Sequence, residues 1–175
     1  MPFFSRKAPA PSPLGLEELT ISLENLDGDE LLSEWRWLVD ESYSPVLVSA
    51  VGDLFVQGQD GSIWWLCTAT GQFTQVAPDL TEFQRLTRQP NPSREWFLPD
   101  IVGHFRKVGV LLQPGKCYSY KVPPFLGGKT EPNNMELTDI CIHFAFLGEV
   151  YHQVKDLPPG TKIRSIRLEK PGPPS

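Results

Sequence analysis

Histidine and cysteine are scarce in this chain, with three of each among 175 residues. None of His104, His143 and His152 is paired at the four-residue helical spacing of a zinc protease site, and Cys67, Cys117 and Cys141 form no Cys-x-x-Cys pair. No metal and no cofactor are therefore expected. An odd number of isolated cysteines in apolar surroundings argues against a disulfide framework and for a reducing compartment, where each acts as a small buried hydrophobe. No stretch approaches the ~18 apolar residues that a membrane span requires. The N-terminus, Met1-Pro2-Phe3-Phe4-Ser5-Arg6-Lys7, lacks the continuous apolar core of a signal peptide. The expectation is a cytoplasmic protein that does not engage a membrane. Basic residues interleaved with aromatics along one element are also missing, which speaks against nucleic-acid binding. Gly127-Gly128-Lys129-Thr130 is not a phosphate loop, because Pro123 stands where the first glycine belongs.

What is present suits a folded domain. The chain is 40% hydrophobic and 11% aromatic, which supports a sizeable core without disulfides or metal. The length suits one domain, expected over residues 14–170 between a disordered leader at 1–13 and a disordered tail at 171–175. The net charge of −5 is unevenly spread: residues 1–60 carry −8, residues 61–100 carry −1 and residues 101–175 carry +4. An acidic surface favours a cationic partner, while acids on a solvated helix face are the ordinary alternative.

The patterning reads as α+β, an antiparallel sheet packed against helices. Leu31, Leu32, Trp35 and Leu38 recur at helical spacing and predict a helix over 28–41, with Asp29 and Glu30 in its first turn. Residues 46–77 read as a three-stranded meander, punctuated by Gly52-Asp53, Gly58-Gln59-Asp60-Gly61 and Thr70-Gly71. In the adjacent pair Trp64-Trp65, one ring belongs in the core and the other on the opposite face of the sheet. Asp79, with Glu82 three residues on, caps a helix over 79–88 whose Leu80, Phe83 and Leu86 face inward. A helix over 93–108 is expected to start at Ser93 and to kink or split at Pro99. Residues 117–122 alternate as a strand, and so does Met135 to Phe144 through Leu137, Ile140, Ile142 and Phe144. A helix through Leu147, Tyr151 and Val154 follows. Lys162, Arg164 and Arg167 alternate imperfectly with apolar residues, as on a charged edge strand.

Candidate chemistry is thin. If 135–144 is a strand, Cys141 and His143 share a face and could form a thiol nucleophile with its base, or simply a buried Cys beside a hydrogen-bonded His. Asp27, Asp29, Glu30 and Glu34 cluster at a helix entrance, where acids are expected on dipole grounds and could also form a binding patch.

The run Leu112-Gln113-Pro114-Gly115-Lys116-Cys117-Tyr118 continuing to Leu126-Gly127-Gly128, with Asn134, Asp139 and His143 downstream, is distinctive. It resembles a bacterial family named after the C-terminal domain of an immunity protein against a type VI secretion DNase toxin. Gly52-Asp53-Leu54-Phe55, the strand from Gly61 to Leu66 and the helix from Asp79 to Leu86 resemble that family too, so the likeness runs from about Val46 to Ile163. It implies a compact α+β fold, no catalysis, and a protein toxin as partner. It also implies a structural role for Pro114, Gly115, Cys117, Tyr118, Leu126, Gly127, Gly128, Asp139 and His143. The leading expectation is an immunity-like inhibitor whose acidic patch, Asp27, Asp29, Glu30 and Glu34, meets the toxin. The alternatives are a general protein-interaction module and a thiol enzyme using Cys141 and His143.

Overall fold

The computed structural model describes residues 14–158 together with Thr161, Ile163 and Ile166. The leader at 1–13, the tail at 171–175 and the basic residues Lys162, Arg164 and Arg167 lie outside the described residues. The fold is α+β. Its elements run α1 Leu16–Leu19, β1 Thr20–Ile21, α2 Gly28–Leu32, β2 Ser44–Ser49, β3 Leu54–Gln57, β4 Ile63–Cys67, β5 Gln72–Ala77, α3 Leu80–Leu86, α4 Pro90–Phe97, α5 Pro99–Lys107, β6 Lys116–Tyr120, β7 Met135–Asp139 and α6 Ile140–Val154.

Strands β1 to β5 form one antiparallel sheet in sequential order, and β6 and β7 form a separate antiparallel pair. The meander is thus longer than the three strands expected. The β6–β7 pair does not join it as a continuous sheet; it meets the turn after β2, where Tyr118 N donates to Ala50 O at 2.8 Å.

Both faces of the five-stranded sheet are covered, and that explains its composition. On one face Phe55, Ile63 and Ala77 pack with Phe83, Trp96, Phe97 and Val102 from α3, α4 and α5. On the other, Val48, Leu54, Val56 and Leu66 pack with Leu31, Leu32 and Trp35 and with Ile140, Phe144, Leu147 and Tyr151 of α6. Successive side chains of a strand point to opposite faces, so strands buried on both sides read as unbroken apolar runs such as Leu54-Phe55-Val56. The tryptophan pair divides in the same way: Trp65 packs on Phe55 and Trp96, while Trp64 packs on Phe73 and Tyr43.

Four expectations need correction. The helix expected over 28–41 is α-helical only to Leu32, then tightens into a 3₁₀ turn at Ser33–Trp35 and ends in turns where Trp35 O accepts from both Leu38 N and Val39 N. That tightening lets Trp37 stack against Trp35 and His152. Leu80 does not face inward but is exposed; the helix it opens buries Phe83. Ser93 lies inside α4, which starts instead at Pro90 with the proline at the first helical position. Pro99 does split the region, because Leu98 adopts a left-handed conformation (φ 42°) between α4 and α5. Finally, residues 140–144 are helical. Asp139 Oδ1 accepts from Cys141 N (3.0 Å) and Ile142 N (3.3 Å), so the carboxylate caps α6 and the strand stops there.

Candidate functional site

The acidic cluster lies on the surface beside α6. Asp27 caps α2 by accepting from Asp29 N (2.9 Å) and Glu30 N (3.4 Å). Asp29 is ion-paired with Arg36, whereas Glu30 and Glu34 are exposed. Gly148 of α6 lies against Glu34: a Cβ there would come within 2.8 Å of the Glu34 backbone, so α6 and the 3₁₀ turn are in direct contact. Asp27, Glu30 and Asp139 all lie within electrostatic reach of Cys141. The next residue, Ile142, is 63% exposed. An exposed apolar side chain thus follows directly on the residue that the acids approach, and its exposure was hidden by the strand reading of Ile142.

Beneath this face is a sealed polar network. His143 is 1% exposed and Asp53 5%. His143 Nε2 donates to Gly52 O at 3.1 Å, and since a carbonyl only accepts, the ring proton sits on Nε2. Nδ1 then accepts from the Ser119 hydroxyl at 2.8 Å. Thr68 Oγ1 lies 3.1 Å from Nε2 and donates to Asp53 Oδ1 at 3.0 Å. Asp53 also accepts from Thr68 N (2.9 Å) and Trp65 Nε1 (3.1 Å). Burial pushes the Asp53 carboxyl up to about 6 against these bonds, and burial pushes His143 down to about 4. Gly52 makes the approach possible: its φ is +87°, and a Cβ would stand 2.3 Å from His143 Nε2.

A serine, a histidine and an aspartate are thus linked, yet the geometry fastens elements together and leaves no room for a substrate at Ser119, itself 8% exposed. The network joins the β2–β3 turn, the end of β4, β6 and α6. Neither Thr68 nor Ser119 was among the residues singled out from the sequence. They lie 75 and 24 residues from His143, and nothing local links them to it.

The Cys141–His143 pair does not form. On a helix, residues two apart point in nearly opposite directions, and both ring nitrogens of His143 are engaged elsewhere. Burial and the carboxylates Glu30, Asp139 and Asp27 raise the Cys141 thiol, the reverse of what a thiolate nucleophile needs. Cys117 is raised by burial as well, and burial pushes Cys67 up to about 12.

The motif residues each have a local partner. Pro114 borders a groove described below, and Gly115 O accepts from Ile140 N at 2.9 Å. Cys117 is buried against the α6 side of the core. Tyr118 stacks on Phe105 at 4.3 Å and donates its hydroxyl to Val110 O at 2.9 Å. Leu126 ends a 3₁₀ turn, followed by Gly127 at φ 93°. A Cβ on Gly128 would meet Val122 O at 1.7 Å, so only glycine fits where the loop folds back. Asn134 holds that loop by donating to Val122 O (2.8 Å) and Lys129 O (2.9 Å). Among the described residues, no group of three or more His, Cys, Asp or Glu could hold a metal ion, and no helix is long and apolar enough to cross a membrane.

The family described as T6SS immunity protein Tdi1, C-terminal, matches residues 77–151. The resemblance seen in the sequence therefore holds over α3, α4, α5, β6, β7 and most of α6. It is narrower than the span from Val46 to Ile163 expected, and the acidic patch lies upstream of it. No curated protein matches the chain. Among solved structures, the "Crystal structure of Atu4351 from Agrobacterium tumefaciens" is similar with a TM-score of 0.48 and 16% identity over 69% of this chain and 63% of that chain. This chain therefore spans less than two thirds of that protein's length.

Proposed function

We propose that this chain is an immunity protein that neutralises a secreted type VI toxin of the DNase type by binding it, without catalysis of its own. The observation that carries this reading is the match of residues 77–151 to the C-terminal region of a type VI secretion immunity protein. A nuclease must attract phosphate, so its active face is rich in Lys and Arg. An acidic inhibitor meets such a face, gains association rate from the opposite charge and keeps DNA out at the same time. The face we assign to this role is the exposed acidic patch of Asp27, Asp29, Glu30 and Glu34, with the exposed Ile142 of α6 as an apolar contact.

The test is the association rate of the full chain with a catalytically inactivated toxin encoded beside it. Replacing the four acids with Asp27→Asn, Asp29→Asn, Glu30→Gln and Glu34→Gln should slow association, most strongly at low salt, because charges beyond ~10 Å are screened at 0.1 M. Equal rates for wild type and variant at low and high salt would put the binding face elsewhere. Failure of the wild type to bind would sink the immunity reading itself.

A further inference from the structure

A groove of about 440 Å³ opens between β1, α5 and the 111–114 segment. Ile21, Val102, Leu112 and Tyr118 give it an apolar floor, and Pro114 borders it. Leu111, 60% exposed, stands on its outer wall. Glu17 and Glu18 stand on the rim; Glu18 is held by Arg106 at 2.7 Å, and Glu17 is exposed.

One wall of this groove is β1, a sheet edge open among the described residues. β1 pairs only with β2 among the described residues. In an antiparallel ladder, alternate residues turn their backbone groups to the same neighbour. Ala50 N donates to Leu19 O at 2.8 Å and Ile21 pairs with Val48, so Leu19 and Ile21 face β2. Thr20, between them, turns its carbonyl away from β2, and Thr20 lines the groove. An open strand edge beside an apolar trench suits an extended chain: its backbone lengthens the ladder while alternate side chains enter the trench. The charge at the rim selects for a base, since its lining holds Glu17, Glu18 and Arg106, Glu18 is engaged by Arg106, and Glu17 is exposed.

The groove also adjoins the acidic face. Pro114 lines the groove, and the next residue, Gly115, accepts from Ile140 N at the start of α6. One residue further along α6 is Cys141, within reach of Asp27 and Glu30. A single loop thus separates the two surfaces, and one partner can cover both.

We infer that this groove binds an extended segment of the toxin, added as a strand to the free edge of β1, with an apolar side chain in the trench and a basic one beside Glu17. This rests on the proposed immunity function. The experiment uses the full chain, the inactivated co-encoded toxin, and overlapping linear peptides covering that toxin. One peptide with an apolar residue near a basic one should bind the wild type. Leu111→Glu, at an exposed position, should weaken both that peptide and the whole toxin roughly tenfold, the scale of one lost contact of about 1.4 kcal/mol. Glu17→Lys gives a second arm and should weaken binding by a factor that shrinks at high salt. If the toxin binds wild type, Leu111→Glu and Glu17→Lys equally, the groove is not the docking site, while the immunity function stands. If the wild type binds no toxin, both fall. If the free wild type is a dimer that Leu111→Glu converts to monomer, the groove is a contact between copies and the inference is overturned.

Discussion

Asp53 and His143 share one sealed network but respond to pH in opposite senses. Burial raises Asp53 from 3.8 to about 6, so the folded protein keeps a proton that the unfolded chain has lost, and stability falls as pH rises from about 4 to 6. Burial lowers His143 from 6.5 to about 4, so the unfolded chain takes up a proton that the folded protein refuses. Stability therefore falls as pH drops from about 6.5 to 4. Each shift is roughly two units, about 3 kcal/mol at 1.36 kcal/mol per unit, so the two largely offset each other over the shared window. Denaturant unfolding of three proteins from pH 4 to 6.5 checks this. The wild type should show little slope from this pair. Asp53→Asn should become more stable with rising pH, and His143→Gln less stable. Parallel profiles for all three would mean that the two groups do not titrate with folding. At this scale the sequence was half legible. Gly52-Asp53, Ser119 and His143 lie within the family-like strings, but nothing there marks Ser119 as the partner of His143, and Thr68 lies outside them. A hydroxyl's role depends on which element arrives opposite it, and that is set by topology.

The start of α6 carries a strand period and a helix period at once. Ile140, Ile142 and Phe144 alternate, as a half-buried strand would. Yet Ile140, Phe144, Leu147 and Tyr151 repeat at four, three and four residues, and all four are buried. Over five residues the two periods cannot be told apart; the decisive signal was Asp139, a carboxylate one residue before the apolar run, where a cap belongs. Asp139→Ala should cost about 1 kcal/mol, within the 0.5–2 kcal/mol range for lost N-caps, and Asp139→Asn much less, as read by thermal unfolding. Equal losses for both substitutions would show that charge, and not capping, is what position 139 supplies. Where turn chemistry is explicit, local sequence suffices: Asp79 accepts from Glu82 N at 2.8 Å, as the spacing implies. The length of the meander and the separation of β6–β7 from the main sheet were not legible, because strand pairing is a long-range outcome that local alternation leaves open.

Over the whole molecule, charge is segregated along the chain, and Asp27, Asp29, Glu30 and Glu34 stand on α2 and the 3₁₀ turn where these lie against α6. The proposed binding face combines two kinds of group that act on different rates. Exposed carboxylates act at a distance: they orient an incoming cationic partner before contact, so their loss is felt in the association rate and fades with salt. Ile142 acts only once water has been squeezed out, so its truncation is felt in dissociation. Ile142→Ala should therefore speed dissociation of the inactivated toxin roughly tenfold, for a loss of about 1.4 kcal/mol, while leaving the association rate and its salt dependence near wild type. The fourfold acid-to-amide variant should do the opposite. Neither should change the melting temperature much, since the acids and Ile142 are exposed and surface changes stay within about 0.5 kcal/mol. Stopped-flow association and competitive dissociation at low and high salt separate the two effects. If Ile142→Ala altered only the association rate, or the acid variant only dissociation, the acids and Ile142 would not be dividing steering and contact between them, and the toxin would have to be held by another surface.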